Sequence, residues 1–272
     1  MRAKKWEILA VLLVVGLATA GLAGAQSVSF KDPTGDDFGP GGYSYPTDAV
    51  YKAGSFDLTQ FELEVSGKRA NVSASVNSAL EDPWGMKVGF AVQMIFVFID
   101  TDHKEGSGFT DGIPGLNVKF APQDAWEKCI ILSPQAAARV RTEVETKAAA
   151  MMAAVVVPGR TKGSGRAISA SVDLADLGAG DPATWGYQVV VQSNEGFPES
   201  AEVLTRRVNE YEGQHRFGGG NDAMCDPHVM DVLAGAGAGA AEEVEAQKSM
   251  LKFECNPDGT AKQMSVLTMV RK

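Results

Sequence analysis

The sequence predicts a mainly β protein, an antiparallel β-sandwich carrying one or two short helices near its C-terminus. Apolar and polar residues alternate in short runs, and Gly, Pro, Asn and Asp separate those runs. One run, Val88 to Asp100, is apolar on both alternating faces, with Phe90, Val92, Met94, Phe96 and Phe98 on one and Ala91, Ile95, Val97 and Ile99 on the other. Such a strand is covered on both sides and belongs at the centre of a sheet.

The remaining elements follow in order. Ser55 to Val65 and Ala70 to Val76 alternate with a period of two and read as a hairpin through Ser66-Gly67-Lys68-Arg69. Strands are expected at Leu116 to Phe120, Trp126 to Leu132, Ala167 to Val172 and Tyr187 to Gln192, with a helical turn at Leu174 to Leu177. In Gln135 to Val157 the alanines favour helix, whereas Val140, Thr142, Val144 and Thr146 alternate, and the alternation is read as a hairpin. Val229 to Leu233 and Ala240 to Leu251 look helical, the second following the flexible Gly235-Ala236-Gly237-Ala238-Gly239 run.

Residues Met1 to Ala25 have the form of an export leader: a basic start, an apolar run from Ile8 to Ala20, and Ala23-Gly24-Ala25 as a cleavage signal. That apolar run is shorter than the roughly 20 residues a spanning helix needs. No other run is long enough to span, so residues 26–272 are expected as one domain that is secreted, periplasmic or on the cell surface, with no transmembrane anchor in the mature chain. Removing the leader takes three basic residues and one acid from totals of 25 and 34, which leaves a net charge of −11. Nucleic acid is therefore not an expected partner.

Of three cysteines, Cys225 and Cys255 lie in loop contexts that flank the C-terminal helical segment, and Cys129 sits inside a strand. The expected pairing is Cys225 with Cys255, a closure contributing roughly 3 to 4 kcal/mol; three free thiols are the alternative. Cys129 is expected to behave as a small buried apolar side chain.

Asp32 to Asp48 crowds acids, glycines and tyrosines: Asp-Pro-Thr-Gly-Asp-Asp-Phe-Gly-Pro-Gly-Gly-Tyr-Ser-Tyr-Pro-Thr-Asp. Calcium takes about six to eight oxygen ligands, and a glycine-rich loop bends several onto one point. A second acidic cluster, Asp100-Thr101-Asp102 with Asp111, leaves the central strand. The candidate metal ligands are thus Asp32, Asp36, Asp37, Asp100, Asp102 and Asp111, with ordinary turn clusters as the bland alternative. Lys104 and Glu105 rule out an EF-hand loop. No metalloprotease or serine-nucleophile motif occurs, and His103, His215 and His228 are isolated, so no enzyme is expected.

The Asp32 to Asp48 stretch resembles the opening of the C-terminal domain of bacterial glucodextranase and of related amylopullulanase surface domains. Asp100-Thr101-Asp102, Trp126-Glu127-Lys128 and Trp185-Gly186-Tyr187 to Asn194-Glu195-Gly196 occur in matching order. The resemblance implies a DOMON-type, carbohydrate-binding-module-like sandwich, noncatalytic, holding structural calcium, with a glycan or a cell-envelope component as partner. Sugar rings stack on aromatic faces, and the platform candidates are Tyr43, Tyr45 and Trp84; Trp126 and Trp185, beside strands, are better suited to packing. The alternative from a different class is b-type haem for electron transfer, since some DOMON-type sandwiches hold haem between Met, His or Lys ligands; His103 and His228 are the histidine candidates.

Overall fold

A computed structural model of the chain describes residues 26–194, 200–221 and 225–272. The expected leader, 1–25, lies outside the described residues, as does Glu195-Gly196. In chain order the elements are β1 (Ser27–Lys31), β2 (Leu58–Ser66), β3 (Arg69–Val76), β4 (Gln93–Asp100), β5 (Lys119–Phe120), β6 (Lys128–Leu132), α1 (Ala137–Lys147), β7 (Val155–Val156), β8 (Thr161–Ser164), β9 (Ala167–Asp173), α2 (Leu174–Leu177), β10 (Gly186–Ser193), β11 (Asp231–Val232), α3 (Glu243–Met250), β12 (Glu254–Cys255), β13 (Ala261–Gln263) and β14 (Val266–Leu267).

Two five-stranded sheets form the sandwich, ordered β1-β2-β3-β9-β8 and β11-β10-β4-β6-β7. The first is antiparallel throughout, and the expected β2–β3 hairpin closes with Ser66 opposite Arg69. In the second, β4 takes the central place that its two apolar faces require. Ile95, Val97 and Ile99 share one core with Phe61, Leu63, Val72 and Ile168 of the first sheet. Met94, Phe96 and Phe98 join a second core with Cys129, Val140, Val144, Trp126 and Leu251. Each large apolar side chain buried in these layers contributes roughly 1.5–3 kcal/mol. The first sheet buries one face only, so its strands alternate in exposure.

Cys225 and Cys255 are joined, and Cys129 is free and buried, both as expected. Two segments differ from expectation. The hairpin expected within Gln135 to Val157 is instead helix α1 followed by β7, which pairs parallel to β6. Its Val140, Val144 and Ala148 are the buried positions, four residues apart, and Thr142 and Thr146 face solvent. A period of two contains this period of four, so the alternation also fits one face of a helix. The helix expected at Val229 to Leu233 is instead extended, and β11 pairs with Val190 and Val191 of β10. Val229, Met230, Val232 and Leu233 are all fully buried, and a short run covered on every side carries no periodicity to separate strand from helix.

Candidate functional site

The N-terminal acidic loop folds against the seam between the sheets. Asp32 directly follows β1, Asp36 sits in the turn after Gly35, Asp57 directly precedes β2, and Asp231 comes from β11 of the other sheet. Gly35 holds φ at +87°, a left-handed conformation that glycine adopts without strain. All four carboxylates are buried. The oxygens of Asp32, Asp36 and Asp231 lie within 4.8 Å of one another.

Backbone and amide donors satisfy part of this cage. The Leu58 N–H donates to Asp231 Oδ2 at 2.6 Å, Ala234 N–H to Asp32 Oδ1 at 3.2 Å, and Gly35 N–H to Asp57 Oδ2 at 2.9 Å. Asn77 Nδ2 also donates to Asp57 Oδ2, at 3.0 Å. Asp32 Oδ2, both oxygens of Asp36 and Asp57 Oδ1 are buried without a donor. Burial, followed by the neighbouring carboxylates Asp36 for Asp32 and Asp32 for Asp231, pushes both acids well above the usual carboxylate range. Burial and then Asp57 raise Asp36 to about 6. Like charges gathered out of water, with oxygens left over, are the donor set of a hard cation, whose oxygen ligands stand roughly 2.3–2.6 Å away. The residues present therefore fit calcium.

Glu243, at the start of α3, closes the neighbouring Gly-Ala loop. Its carboxylate accepts the N–H groups of Ala236, Ala238, Gly239 and Ala240. Burial works to raise its pKa, but these four donors outweigh it and the acid stays below its usual value.

The six acids singled out from the sequence do not form one site. Asp32 and Asp36 join Asp231, and Asp37 accepts the Tyr45 hydroxyl. Asp100 and Asp102 form a separate group with Glu127, and Asp111, exposed, pairs with Lys119 at 2.5 Å. Asp100 Oδ1 accepts the His103 N–H at 2.7 Å, while Oδ2 takes the Arg271 guanidinium, which also donates to Asp124 at 2.6 Å. Arg271 thus places a positive charge on Asp100, beside the Asp100, Asp102 and Glu127 oxygens that lie within 4.8 Å of one another. The N-terminal cage is joined instead by Asp57 and Asp231, which sequence reasoning missed. Asp57 is a lone acid before a strand, and Asp231 lay in a segment read as helix.

The aromatic candidates also separate. Tyr43 is buried and donates its hydroxyl to the Pro227 carbonyl at 2.7 Å, so its ring offers no sugar platform. Tyr45 is half-buried, set edge-on to Phe56 at 5.2 Å and to Phe217 at 6.0 Å. Trp84 is half-buried at the rim, edge-on to Tyr51 at 6.2 Å, with exposed His215 on the same tyrosine. Trp126 and Trp185 are core residues. His228 is buried, its Nδ1 accepting the Val208 N–H at 3.3 Å, and His103 is exposed at the end of β4.

No helix among the described residues is long and apolar enough to cross a membrane. No curated protein matches the chain. The family described as the C-terminal, SLH-like binding module of glucodextranase matches residues 28–269. That match runs through both sheets and the acidic loop, and the chain belongs to this family of glucodextranase C-terminal binding modules.

Proposed function

We propose that this protein is a secreted, noncatalytic module that binds a polysaccharide or a cell-envelope glycan and is stabilised by calcium. The observation that carries the calcium reading is the set of buried oxygens on Asp32, Asp36 and Asp57 with no hydrogen-bond donor, facing Asp231 across the seam of the sandwich. Asp32, Asp36, Asp57 and Asp231 would hold the ion. Bound there, calcium supplies positive charge to a cluster that is otherwise self-repelling. The acids themselves then tie β1 and β2 of one sheet to β11 of the other.

Family membership supports glycan binding, and Trp84 at the rim is the aromatic platform candidate that remains accessible. The leader-like residues 1–25 and the Cys225–Cys255 bond fit an exported protein. The test is a glycan array run with calcium and with excess chelator, beside thermal melts under both conditions. Binding to a glycan class together with a calcium-dependent rise in Tm supports the reading. Identical melts remove the calcium part, and an empty array removes the glycan part.

A further inference from the structure

We infer that the outer face of the first sheet is a binding trough for an acidic polysaccharide, a refinement that rests on the glycan-binding reading above. Its floor comes from two strands of nearly repeated sequence, Val72-Ser73-Ala74-Ser75-Val76 in β3 and Ile168-Ser169-Ala170-Ser171-Val172 in β9. Alternation turns the apolar residues inward and leaves short hydroxyls outside. The strands pair antiparallel, with Ser73 opposite Ser169 and Asn71 opposite Ser171.

The neighbouring strands carry long charged side chains at the same levels. Glu62 stands opposite Ser73 and Glu64 opposite Asn71 on β2, while Lys162 stands opposite Ser169 on β8, with Arg160 just before that strand. Three strand spacings separate β2 from β8, so the walls stand about 14 Å apart. The half-open depression over this face measures about 800 Å³ and reaches past Glu62 and Glu64 to Ser27 and Ser29 of β1. It is a ditch with a low hydroxyl floor crossed by an acidic row on β2 and bounded by basic residues at β8.

The basic edge, set apart from the acidic row, gives an anionic group on the occupant a place to dock. The chain carries a net charge of −9, yet among the described residues neither Arg160 nor Lys162 has a carboxylate partner, and both are exposed. Their counter-charge is left for a ligand to supply. Among the described residues no aromatic ring lines the cavity, so stacking, the usual grip on a neutral glucan, is missing there. A polymer bearing carboxylate or phosphate groups meets Arg160 and Lys162 with charge-assisted hydrogen bonds. Its hydroxyl edge donates to Glu62 and Glu64, and its remaining hydroxyls reach Asn71 and Ser73, whose side chains have no partner among the described residues.

The test titrates the intact calcium-loaded protein with polygalacturonate, with a poly(glycerol phosphate) and with neutral dextran, by calorimetry at low and high salt. We expect one of the anionic polymers to bind and to weaken with salt, and the first two arms say whether carboxylate or phosphate is preferred. Arg160→Ser combined with Lys162→Ser should weaken that binding roughly tenfold or more while leaving Tm unchanged. Ser169→Tyr, which fills the floor without touching either wall, should do the same. Binding of dextran alone, or anionic binding that survives both variants, overturns the trough. Loss of dextran binding in Trp84→Ala with no effect of the trough variants would leave the glycan-binding reading standing and remove this one. Self-association abolished by the double variant would mark the face as an interface between copies and likewise overturn the proposal.

Discussion

Asp231 Oδ2 accepts the Leu58 N–H at 2.6 Å, so an acid on the edge strand of one sheet holds the first residue of a strand in the other. The contact is returned when the Ala234 N–H, just beyond β11, donates to Asp32 just beyond β1. Carboxylates, not only apolar side chains, join the two layers at this corner. Their leftover oxygens make the corner's stability a function of what neutralises them.

Calcium at about a hundred times its Kd stabilises by about 2.7 kcal/mol, which for a domain of this size moves Tm by roughly 5–10 °C. Asp36→Asn should lose most of that response, since both Asp36 oxygens lack donors. Differential scanning calorimetry in calcium and in chelator checks it, and an undiminished response in the variant counts against Asp36 as a ligand.

Without calcium, pH should act through the same residue. The folded pKa of Asp36 lies near 6, above its usual 3.8, so the folded state holds the proton more tightly than the unfolded state does. Its contribution is full below the unfolded value and disappears as pH rises through the folded one, a swing of about 3 kcal/mol. In chelator, the stability of the wild type relative to Asp36→Asn should fall as pH is raised from about 4.5 to about 8. Denaturant melts of the pair across that range measure it, and a constant difference would contradict the raised pKa.

His228 has the opposite sign. Burial first, then Arg207, lower it to about 4, so the folded state resists the proton that the unfolded chain accepts near 6.5. Stability should therefore decline as pH falls from 6.5 toward 4, by about 3 kcal/mol. His228→Gln should flatten that part of the profile, and NMR titration of the imidazole gives the pKa directly.

Arg271 neutralises Asp100 and Asp124 together, and both acids are buried. Arg271→Ala should cost about 3 kcal/mol because it leaves two interior carboxylates unpaired. Arg271→Lys should recover only part of the loss, since an ammonium lacks the two-pronged geometry. Urea melts of the three proteins rank them, and an Ala variant as stable as wild type would show that water serves these acids equally well.

The Cys225–Cys255 bond should hold whenever the protein is purified unreduced. Unfolded without reductant it should take up one thiol label, at Cys129, and after reduction three. Cys255→Ser should lower stability by about 3 kcal/mol. Three labels without reductant would refute the bond.

Much of the frame was legible because alternation reports burial one residue at a time. Val88 to Asp100 announced a central strand, which forms over Gln93–Asp100, and Ala70 to Val76 announced one arm of the β2–β3 hairpin. The cage was half legible. Asp32 and Asp36 stand in a conspicuous loop, but their partners Asp57 and Asp231 are unremarkable in isolation and meet them only when the edge of one sheet closes on the other. The D-x-D turn after β4 does gather Asp100 and Asp102, with Glu127 added from the approach to β6, but nothing near it in the chain hints that Arg271 reaches Asp100. Tyr43 carries a sugar-platform side chain, yet it is buried with its hydroxyl on the Pro227 carbonyl, equally remote in sequence.

The separation between those partners governs the order in which the molecule is assembled. Leu58 waits for an acceptor 173 positions later, and Asp32 for a donor 202 positions later. A chain made from its N-terminus can close the β2–β3 hairpin early, but its acidic loop stays open until β11 has emerged. Such distant closures are slow steps in folding. Nascent fragments that stop short of Asp231 should therefore present the loop to proteases, and the finished chain should withdraw it in a single late event.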